Sequence, residues 1–293
     1  MGQSVESNEP STPSSSAVSW QLRTRRLDFQ MRPAIMGIVN VTPDSFSDGG
    51  QFVDCQAAVD HALRMEDAGA DIIDIGGEST RPYSQPVTAE EELRRVVPVL
   101  EQLQGRIQAA ISIDTSKADV AQAAIELGAE IINDVTGLEG DPRMVDMAVR
   151  TEVGVCAMHM QGTPQTMQDA PHYDDVVEEV FSYLAARREQ LISHGIAPQR
   201  ICLDPGIGFG KTHAHNWQLV RSCRRFLALP HPILIGHSRK GFITKVSGSD
   251  RESRLGGTLA VSLFLASCGM HVLRVHDVAA TVAAVRCQRE CRQ

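Results

Sequence analysis

Eight short apolar stretches, rich in Ile and Val, recur along the chain, and each ends on a polar or glycine-rich tag followed by amphipathic sequence. They span residues 34–40, 71–76, 109–114, 130–133, 154–158, 200–204, 232–236 and 271–275. Strands that alternate with helices in this way predict right-handed crossovers and a buried parallel sheet. Eight such units within residues 34–290 predict a single α/β domain, a closed (β/α)8 TIM barrel whose chemistry lies where the strands end.

Two helix signals support this alternation. Thr88 and Glu91 have the spacing of a capping box in front of an apolar stripe. Residues 173–194 carry acidic side chains at their start and basic ones later, the order that complements a helix macrodipole. The segments between the apolar stretches are therefore expected to be helical.

The N-terminal residues differ from the rest of the chain. Residues 1–18 are rich in Ser, contain Pro and have no apolar core, so we expect a disordered tail, and they lack the features of a signal peptide. Residues 19–33 alternate in part, which predicts a strand or hairpin that closes the barrel floor. Residues 256–273 are interrupted by polar side chains, which favours a buried helix over a membrane span.

Charge and cysteine usage limit the possible partners. The formal net charge of −8 argues against a general nucleic-acid binder, because a duplex-binding surface needs concentrated positive charge. The seven cysteines are scattered and form no CxxC pair, which predicts reduced thiols rather than structural zinc or disulfides. We therefore expect a cytoplasmic protein that binds neither nucleic acid nor membrane.

The first apolar stretch ends in MGIVNVTPDSFSDGG, residues 36–50, a strand followed by a loop dense in hydrogen-bonding side chains. Asn40 ends the strand and is expected to point into the barrel mouth. Its neutral amide oxygen suits Mg²⁺ that brings its other ligands with a phosphate substrate. The loop also carries Phe46, and the alternative interpretation is an ordinary polar turn.

The second stretch ends in DIGGESTRPYSQPV, residues 74–87. Its glycines allow close approach of a ligand or of the chain, and Arg81, between Thr80 and Pro82, offers a planar cation on a stiffened loop. Alternatively, Glu78 and Arg81 pair with each other and only shape the loop.

Three further rim groups form a separate set: Asp114, Asn133 and Asp204. Carboxylates and an amide that face a barrel interior can bind the edge of a planar nitrogen heterocycle, while Met158 and Phe209 cover its faces. The alternative is that they form internal salt bridges or cap loops. DPGIGFGKT, residues 204–212, fails as a P-loop because the first glycine is replaced by Pro205, and Lys211 is then expected to be a solvated charge.

Cations and hydrogen-bond donors follow the last two stretches. Ser238, Arg239 and Lys240 lie where phosphate sites recur in such barrels, after strand seven. Arg274 and His276 are one alternation apart after the eighth, so both can face inward. Ser238, Lys240, Arg274 and His276 are therefore expected to hold an anion.

Eight motifs in this order resemble the dihydropteroate synthase family, the sulfonamide-sensitive enzymes of folate synthesis: MGIVNVTPDSFSDGG, DIGGESTRP, SIDTSK, IIND, MHMQG, LDPGIGFGK, SRK and RVHDV. The resemblance covers residues 36–285. It implies a TIM-barrel transferase that joins 6-hydroxymethyl-7,8-dihydropterin diphosphate to p-aminobenzoate, giving 7,8-dihydropteroate and diphosphate. It also implies a homodimer.

The resemblance assigns roles by motif position. The pterin would be held by Asp114, Asn133, Asp204 and Lys240, with Met158, Phe209 and Arg274 packed on it. Asn40 would bind Mg²⁺ together with the diphosphate, whose oxygens would also meet Arg274 and His276, so that the catalytic set is Asn40, Lys240, Arg274 and His276. The p-aminobenzoate pocket would comprise Phe46, Thr80, Arg81, Pro82 and Ser238.

One residue departs from the pattern, and two other functions share part of it. Tyr83 stands where the family usually has Gly, and either it alters the backbone of the second loop or it simply points to solvent. A pterin-binding methyltransferase that serves a corrinoid partner would share the Asp, Asn, Asp pocket but has no reason to keep the TPDSF loop and SRK. A non-catalytic pterin-binding paralogue is expected to lose Asn40, Lys240 or Arg274, all present here.

Overall fold

The computed structural model describes residues 18–42 and 51–291. Within them, a parallel eight-stranded sheet runs in the order β8, β7, β6, β5, β4, β3, β10, β9. A further parallel bridge joins Leu203 to Ile233 and brings the two edge segments together, so the sheet forms the predicted (β/α)8 barrel. The strands, each overlapping one predicted stretch, are β3 (Ala34–Asn40), β4 (Ile72–Gly76), β5 (Ala110–Asp114), β6 (Ile131–Asp134), β7 (Gly154–Met158), β8 (Ile201–Asp204), β9 (Leu234–Ile235) and β10 (Val272–Val275).

Helices follow the strands as the sequence predicts. Thr88 caps one of them by accepting from the Glu91 amide at 3.2 Å, and Asp175 caps another by accepting from the Val177 and Glu178 amides. Two of these helices lie between β9 and β10. In the described part of the chain the helices are α1 (Gln51–Asp67), α2 (Ala89–Leu103), α3 (Ala118–Glu126), α4 (Met144–Thr151), α5 (Val176–Ser193), α6 (His213–Arg221), α7 (Gly241–Ser247), α8 (Arg251–Ser267) and α9 (Val278–Glu290).

The amino-terminal segment forms an antiparallel hairpin of β1 (Ser19–Gln21) and β2 (Arg26–Asp28). Trp20 is fully buried, and its Nε1 donates to the Arg200 carbonyl at 2.8 Å. Trp20 and Leu22 pack against the inward-facing residues at the start of the barrel strands, a set we call the floor cluster. Its other members are Ala34, Met36, Ile72, Ala110, Ile131, Cys156, Cys202, Leu234 and Val272.

The main hydrophobic core lies between the outside of the barrel and the helices. Burial of its Val, Ile and Leu side chains on both faces of the sheet is what a parallel sheet requires. All seven cysteines are free thiols, and Cys287 and Cys291 are exposed. None of the helices in residues 18–42 and 51–291 has the length and apolar character to cross a lipid bilayer.

Candidate active site at the barrel mouth

Strand register gathers the polar residues that end the strands. Asn40 of β3 pairs with Gly76 of β4, which pairs with Asp114 of β5, which in turn pairs with Asn133 of β6. On the other side, Met158 of β7 pairs with Asp204 of β8. Side chains at equivalent register positions face the same side, so these predicted site residues share the carboxyl end of the barrel.

A charged network occupies the centre of this mouth. Arg274 of β10 reaches across the barrel, and its Nε donates to Asp74 Oδ2 at 2.6 Å. Its Nη2 donates to Asp114 Oδ2, also at 2.6 Å. Asn133 Nδ2 also donates to Asp74 Oδ2, at 3.1 Å, so that this oxygen accepts two hydrogen bonds. The alternative of internal pairing and loop capping is therefore observed: Asp114 and Asn133 pair within the rim, and Asp204 accepts from the Gly206 amide.

Asp74 is a functional candidate that the sequence interpretation did not single out. It is fully buried in the middle of β4, and within the described residues its Oδ1 has no hydrogen-bond partner. A carboxylate inside an apolar run is costly unless it is paired. The charge in IIDIG was therefore the available signal, and the structure shows that Asp74 holds Arg274 in place.

Burial raises the pKa of the two rim carboxyls. The pKa of Asp114 rises to about 7, because burial and the nearby Asp74 outweigh the opposing effect of Arg274. The pKa of Asp204 is also raised by burial, although its Oδ1 accepts from the Gly206 amide at 2.7 Å. Near neutral pH Asp114 can therefore adjust its protonation to the donors and acceptors of a bound heterocycle.

Lys240 reaches the turn that follows β8. Its Nζ lies 4.6 Å from the centroid of the Phe209 ring and donates to the Ile207 carbonyl. An ideal Cβ on Gly236 would lie 3.9 Å from both Lys240 Nζ and Arg274 Cδ, which places the two cations beside one backbone position. Burial lowers the pKa of Lys240 to about 8, against the attraction of Asp204.

Lys211 is buried, which makes the expectation of a solvated charge wrong. Only 1% of it is exposed, and its Nζ lies 2.9 Å from both His159 Nδ1 and the Phe209 carbonyl. Burial places the pKa of Lys211 well below its usual value and that of His159 at about 3. Lys211 thus ties the end of β7, which carries Met158, to the turn that carries Phe209.

The turn after β8 depends on a glycine. Gly206 has φ +68°, and a Cβ there would lie 1.9 Å from the His159 carbonyl oxygen and 3.2 Å from Met158 Cγ. No side chain fits this approach. Gly206 therefore allows the segment that carries Phe209 to close over Met158.

The residues expected to bind an anion separate into two groups. Ser238 Oγ accepts from the His276 amide at 3.2 Å and lies 3.1 Å from His276 Nδ1. Burial lowers the pKa of His276 to about 3, so the ring is neutral at physiological pH and offers hydrogen bonds rather than charge. Lys240 and Arg274 supply the positive charge expected at this place.

The second loop, residues 77–88, is anchored by Glu78. Glu78 accepts from Lys117 Nζ at 2.6 Å and from the Val87 amide at 3.0 Å. The proposed pairing of Glu78 with Arg81 is therefore wrong, and Lys117 is a second residue that sequence reasoning missed. Thr80 is half-buried, while Arg81 and Pro82 are exposed beside the mouth.

Tyr83 adopts φ 64°, a left-handed conformation that favours glycine. Its amide donates to the Pro164 carbonyl at 3.0 Å and its hydroxyl to Asp169 Oδ1 at 3.3 Å, yet 62% of the residue is exposed. Both interpretations of Tyr83 hold in part: the side chain is largely in solvent, and the backbone takes a left-handed conformation that favours glycine.

Phe46, which was expected in the p-aminobenzoate pocket, lies outside the described residues. Among the residues that are described, no three or more His, Cys, Asp or Glu side chains could together hold a metal ion.

The chain matches a family model of pterin-binding enzymes over residues 36–276. It is 47% identical over 254 residues to the dihydropteroate synthase of Escherichia coli K12, which covers 87% of this chain and 90% of that protein. The chain belongs to the dihydropteroate synthase family of pterin-binding enzymes.

Solved structures agree with this family assignment. The Xanthomonas albilineans dihydropteroate synthase with 4-aminobenzoic acid has a TM-score of 0.88 and 45% identity, covering 94% of this chain and 99% of that one. A complex of the same bacterial enzyme with 7,8-dihydropteroate has a TM-score of 0.84, 44% identity and coverage of 94% and 98%. A sulfonamide complex of the Yersinia pestis family member has a TM-score of 0.86, 42% identity and the same coverage.

Proposed function

We propose that this chain condenses 6-hydroxymethyl-7,8-dihydropterin diphosphate with p-aminobenzoate to give 7,8-dihydropteroate and diphosphate. The observation that carries the proposal is the network of Asp74, Asp114, Asn133 and Arg274 beside Lys240 in one barrel mouth. This network offers carboxylates and an amide for the edge of a bicyclic ring next to cations for an anionic leaving group. The bound molecules named for the Xanthomonas relatives support it.

The pterin is held edge-on by Asp114, Asn133 and Asp204, which reach it from three strands. Met158 and Phe209 supply apolar surface for its faces, and the turn held by Lys211 keeps Phe209 in place. Lys240, above the Phe209 ring, donates to the heterocycle. A flat pocket of this kind fixes the reacting methylene carbon relative to the rim cations.

The reaction needs charge stabilisation more than proton transfer. The C–O bond to diphosphate breaks with its electron pair on the leaving oxygen, and the arylamine nitrogen forms a bond to the methylene carbon and loses one proton to solvent. Arg274 neutralises the developing negative charge, and His276 donates a hydrogen bond. A neutral arylamine needs no strong base, in keeping with the lowered pKa of His276, which makes the imidazole beside Ser238 a weak one.

Mg²⁺ is part of the proposal, with Asn40 as its protein ligand. Asn40 ends β3 at the mouth, half-buried and in register with Gly76. One neutral amide oxygen fits an ion that keeps waters and takes its other ligands from diphosphate oxygens. When bound, Mg²⁺ would neutralise the charge of the leaving diphosphate.

Thr80, Arg81, Pro82 and Ser238 are proposed to bind p-aminobenzoate, together with Phe46. Ser238 lies beside His276, and the charge of Arg81 is felt by His276, which places the second loop next to the anion site. Arg81 is then available for the carboxylate of the arylamine. Sulfonamides are proposed to compete for this pocket.

The test is direct synthesis. Purified protein, both substrates and MgCl₂ should give 7,8-dihydropteroate by mass spectrometry, and removal of Mg²⁺ with a chelator should stop the reaction until the metal is restored. Absence of product at saturating substrate would overturn the proposal. Methyl transfer from methyltetrahydrofolate to a corrinoid acceptor, or pterin binding without turnover, would instead support one of the two alternative functions.

We also propose a homodimer. Large apolar side chains are exposed on α7 and α8, where Val246 is 74% and Phe264 41% exposed. We infer that these two side chains, on helices that pack against each other, lie in the interface between two copies of the chain. Sedimentation velocity should give the mass of a dimer, and Val246→Lys with Phe264→Glu should shift it to monomer, whereas a monomeric wild type would contradict the proposal.

A further inference from the structure

The segment between β9 and α7, residues 236–240, alternates between two directions. Ser238 and Lys240 face the barrel mouth, where they contact His276 and the Ile207 carbonyl. His237 and Arg239 face away and contact α8 and the start of α9. The inward pair belongs to the proposed site, and the outward pair has no part in it.

His237 is fully buried against α8. Its Nε2 lies 2.7 Å from Ser262 Oγ, and that hydroxyl donates to the Thr258 carbonyl at 2.9 Å. Because the Ser262 hydrogen is already used, its oxygen accepts from His237, which places the imidazole hydrogen on Nε2. Burial lowers the pKa of His237 to about 4, so the ring stays neutral and this direction of donation is kept at physiological pH.

Arg239 is held in an unfavourable backbone conformation. Its φ is 58°, and its amide donates to Thr258 Oγ1 at 3.2 Å. Its guanidinium forms two hydrogen bonds to Asp277, at 2.6 and 2.9 Å. A left-handed arginine persists only when its surroundings determine it, and Thr258 and Asp277 do so here.

Thr258 and Ser262 are one helical turn apart on α8, and both are fully buried. Ser262 contacts the ring of His237, and Thr258 accepts from the backbone amide of Arg239. Ser238 and Lys240, which alternate with His237 and Arg239 along the chain, are the residues that reach the mouth. A shift of either outward contact therefore moves Ser238 and Lys240 directly.

We propose that Thr258 and Ser262 of α8 are positioning residues, which set the places of Lys240 and Ser238 in the mouth by holding His237 and Arg239 from behind. The inference rests on the proposed function for its kinetic consequence. Neither hydroxyl touches the substrates in this scheme. Their effect passes through the backbone of residues 237–240.

The decisive variants change one hydroxyl at constant shape. Thr258→Val removes the acceptor for the Arg239 amide, while Thr258→Ser keeps it. Displacing a group that must be aligned with the reacting atoms typically costs between about 10- and 100-fold, so we expect such a loss in kcat/KM for Thr258→Val and near-normal values for Thr258→Ser. Ser262→Ala should act in the same direction.

A matched control lies on α4. Thr151 Oγ1 also bonds a carbonyl one turn back, that of Met147 at 2.8 Å, but far from this segment in the barrel. Thr151→Val should leave kcat and KM unchanged. Circular dichroism melting of all variants separates lost folding from lost positioning. If Thr258→Val fails to fold, Ser262→Ala carries the test.

A second measurement does not need the reaction. The sequence contains four lysines, Lys117, Lys211, Lys240 and Lys245, so acylation of each by acetic anhydride can be followed by peptide mass mapping. In the wild type the acylation of Lys240 should titrate near pH 8, and in Thr258→Val it should move toward the 10.5 of an ordinary lysine. Lys245, on the exposed face of α7, serves as the internal reference.

The outcomes separate the two ideas. A wild type without turnover would end the proposed function, while the shift in Lys240 acylation would still support the positioning role. Active Thr258→Val and Ser262→Ala enzymes with wild-type kcat/KM and unshifted Lys240 acylation would overturn the positioning role, whatever the reaction. If Thr258→Ser loses as much activity as Thr258→Val, the positioning role is overturned too.

Discussion

The two ends of the barrel interior are built on the same strands and have opposite chemistry. At the floor, inward positions such as Met36, Ile72 and Val272 are apolar and are sealed by Trp20. One or two alternations further along the same strands, the inward positions are Asn40, Asp74 and Arg274. The inward positions therefore change from apolar packing to buried ion pairs over one or two alternations, each of which advances about 7 Å along the strand.

This contrast divides stability from chemistry. Buried apolar side chains at the floor stabilise the fold in proportion to the surface they remove from water. The buried charges at the mouth cost desolvation, and their attraction to one another offsets that cost only in part. The mouth is therefore retained for what it binds, and the floor for holding the strands that present it.

Trp20→Ala should give the largest effect and should act on stability alone. Removing a large buried aromatic typically costs about 3–5 kcal/mol, and the loss of the Arg200 contact adds to it. Thermal or urea unfolding measures this change. Trp20→Phe is the control, expected to retain most of the stability. A raised KM with unchanged unfolding would show that the floor serves the site and would break the comparison.

Lys240→Ala should produce the complementary result. Loss of a cation that stabilises developing charge typically costs about 10²–10³-fold in turnover, while the fold loses little. Steady-state kinetics and a melting curve measure the two quantities. Lys245→Ala, which removes an exposed lysine on the neighbouring helix, should be silent in both. A large fall in melting temperature with intact kcat would contradict the division.

Asp204→Asn should weaken pterin binding by about 10- to 100-fold, because a charge-assisted acceptor becomes a neutral one that also carries donors. Isothermal calorimetry with a pterin measures the affinity. Asp134→Asn changes another buried carboxyl, on β6, and should leave the affinity unaltered. Equal affinities for wild type and Asp204→Asn would remove Asp204 from the pocket.

The pH profile should reveal the titration of Lys240, which is half-buried. Because the pKa of Lys240 is lowered to about 8, its cation is present below that pH and is lost as the pH rises through it. We expect kcat/KM to fall above pH 8, approaching about tenfold per pH unit where this one group controls the rate. Lys240→Arg should flatten this limb, since guanidinium stays protonated. An unchanged limb in Lys240→Arg would assign the decline to another group.

Tyr83→Gly should give the smallest effect. Left-handed backbone costs a non-glycine residue about 1–2 kcal/mol, while glycine loses about 0.5–1 kcal/mol more chain entropy on folding, so a small net stabilisation is expected. Differential scanning calorimetry measures it, with Tyr83→Phe as the variant that keeps the backbone penalty. A marked destabilisation by Tyr83→Gly would show that the side chain anchors the second loop.

Much of the site could be predicted from sequence because a strand alternates its side chains between its two faces, so that its position in a strand decides where a residue points. Asn40, Asp114 and Asp204 end strands and Asn133 is next to the end of one, and the parallel sheet gathers such ends at one edge. The order of the eight motifs along the chain indicated the family. Lys211 was misjudged because a lysine after a glycine-rich turn is usually solvated, and only the packing of His159 around it reveals its burial.

The eight strand and helix units, the barrel and the residues at its mouth follow from hydrophobic periodicity, a local property of the chain that needs no knowledge of distant contacts. Which charges meet depends instead on the folded arrangement of the strands. Barrel closure brings Arg274 to both Asp74 and Asp114 and pairs Glu78 with Lys117. It also places α8 against the segment that carries Lys240. Closure brings residues far apart in the chain within hydrogen-bonding distance, and no local pattern encodes that distance.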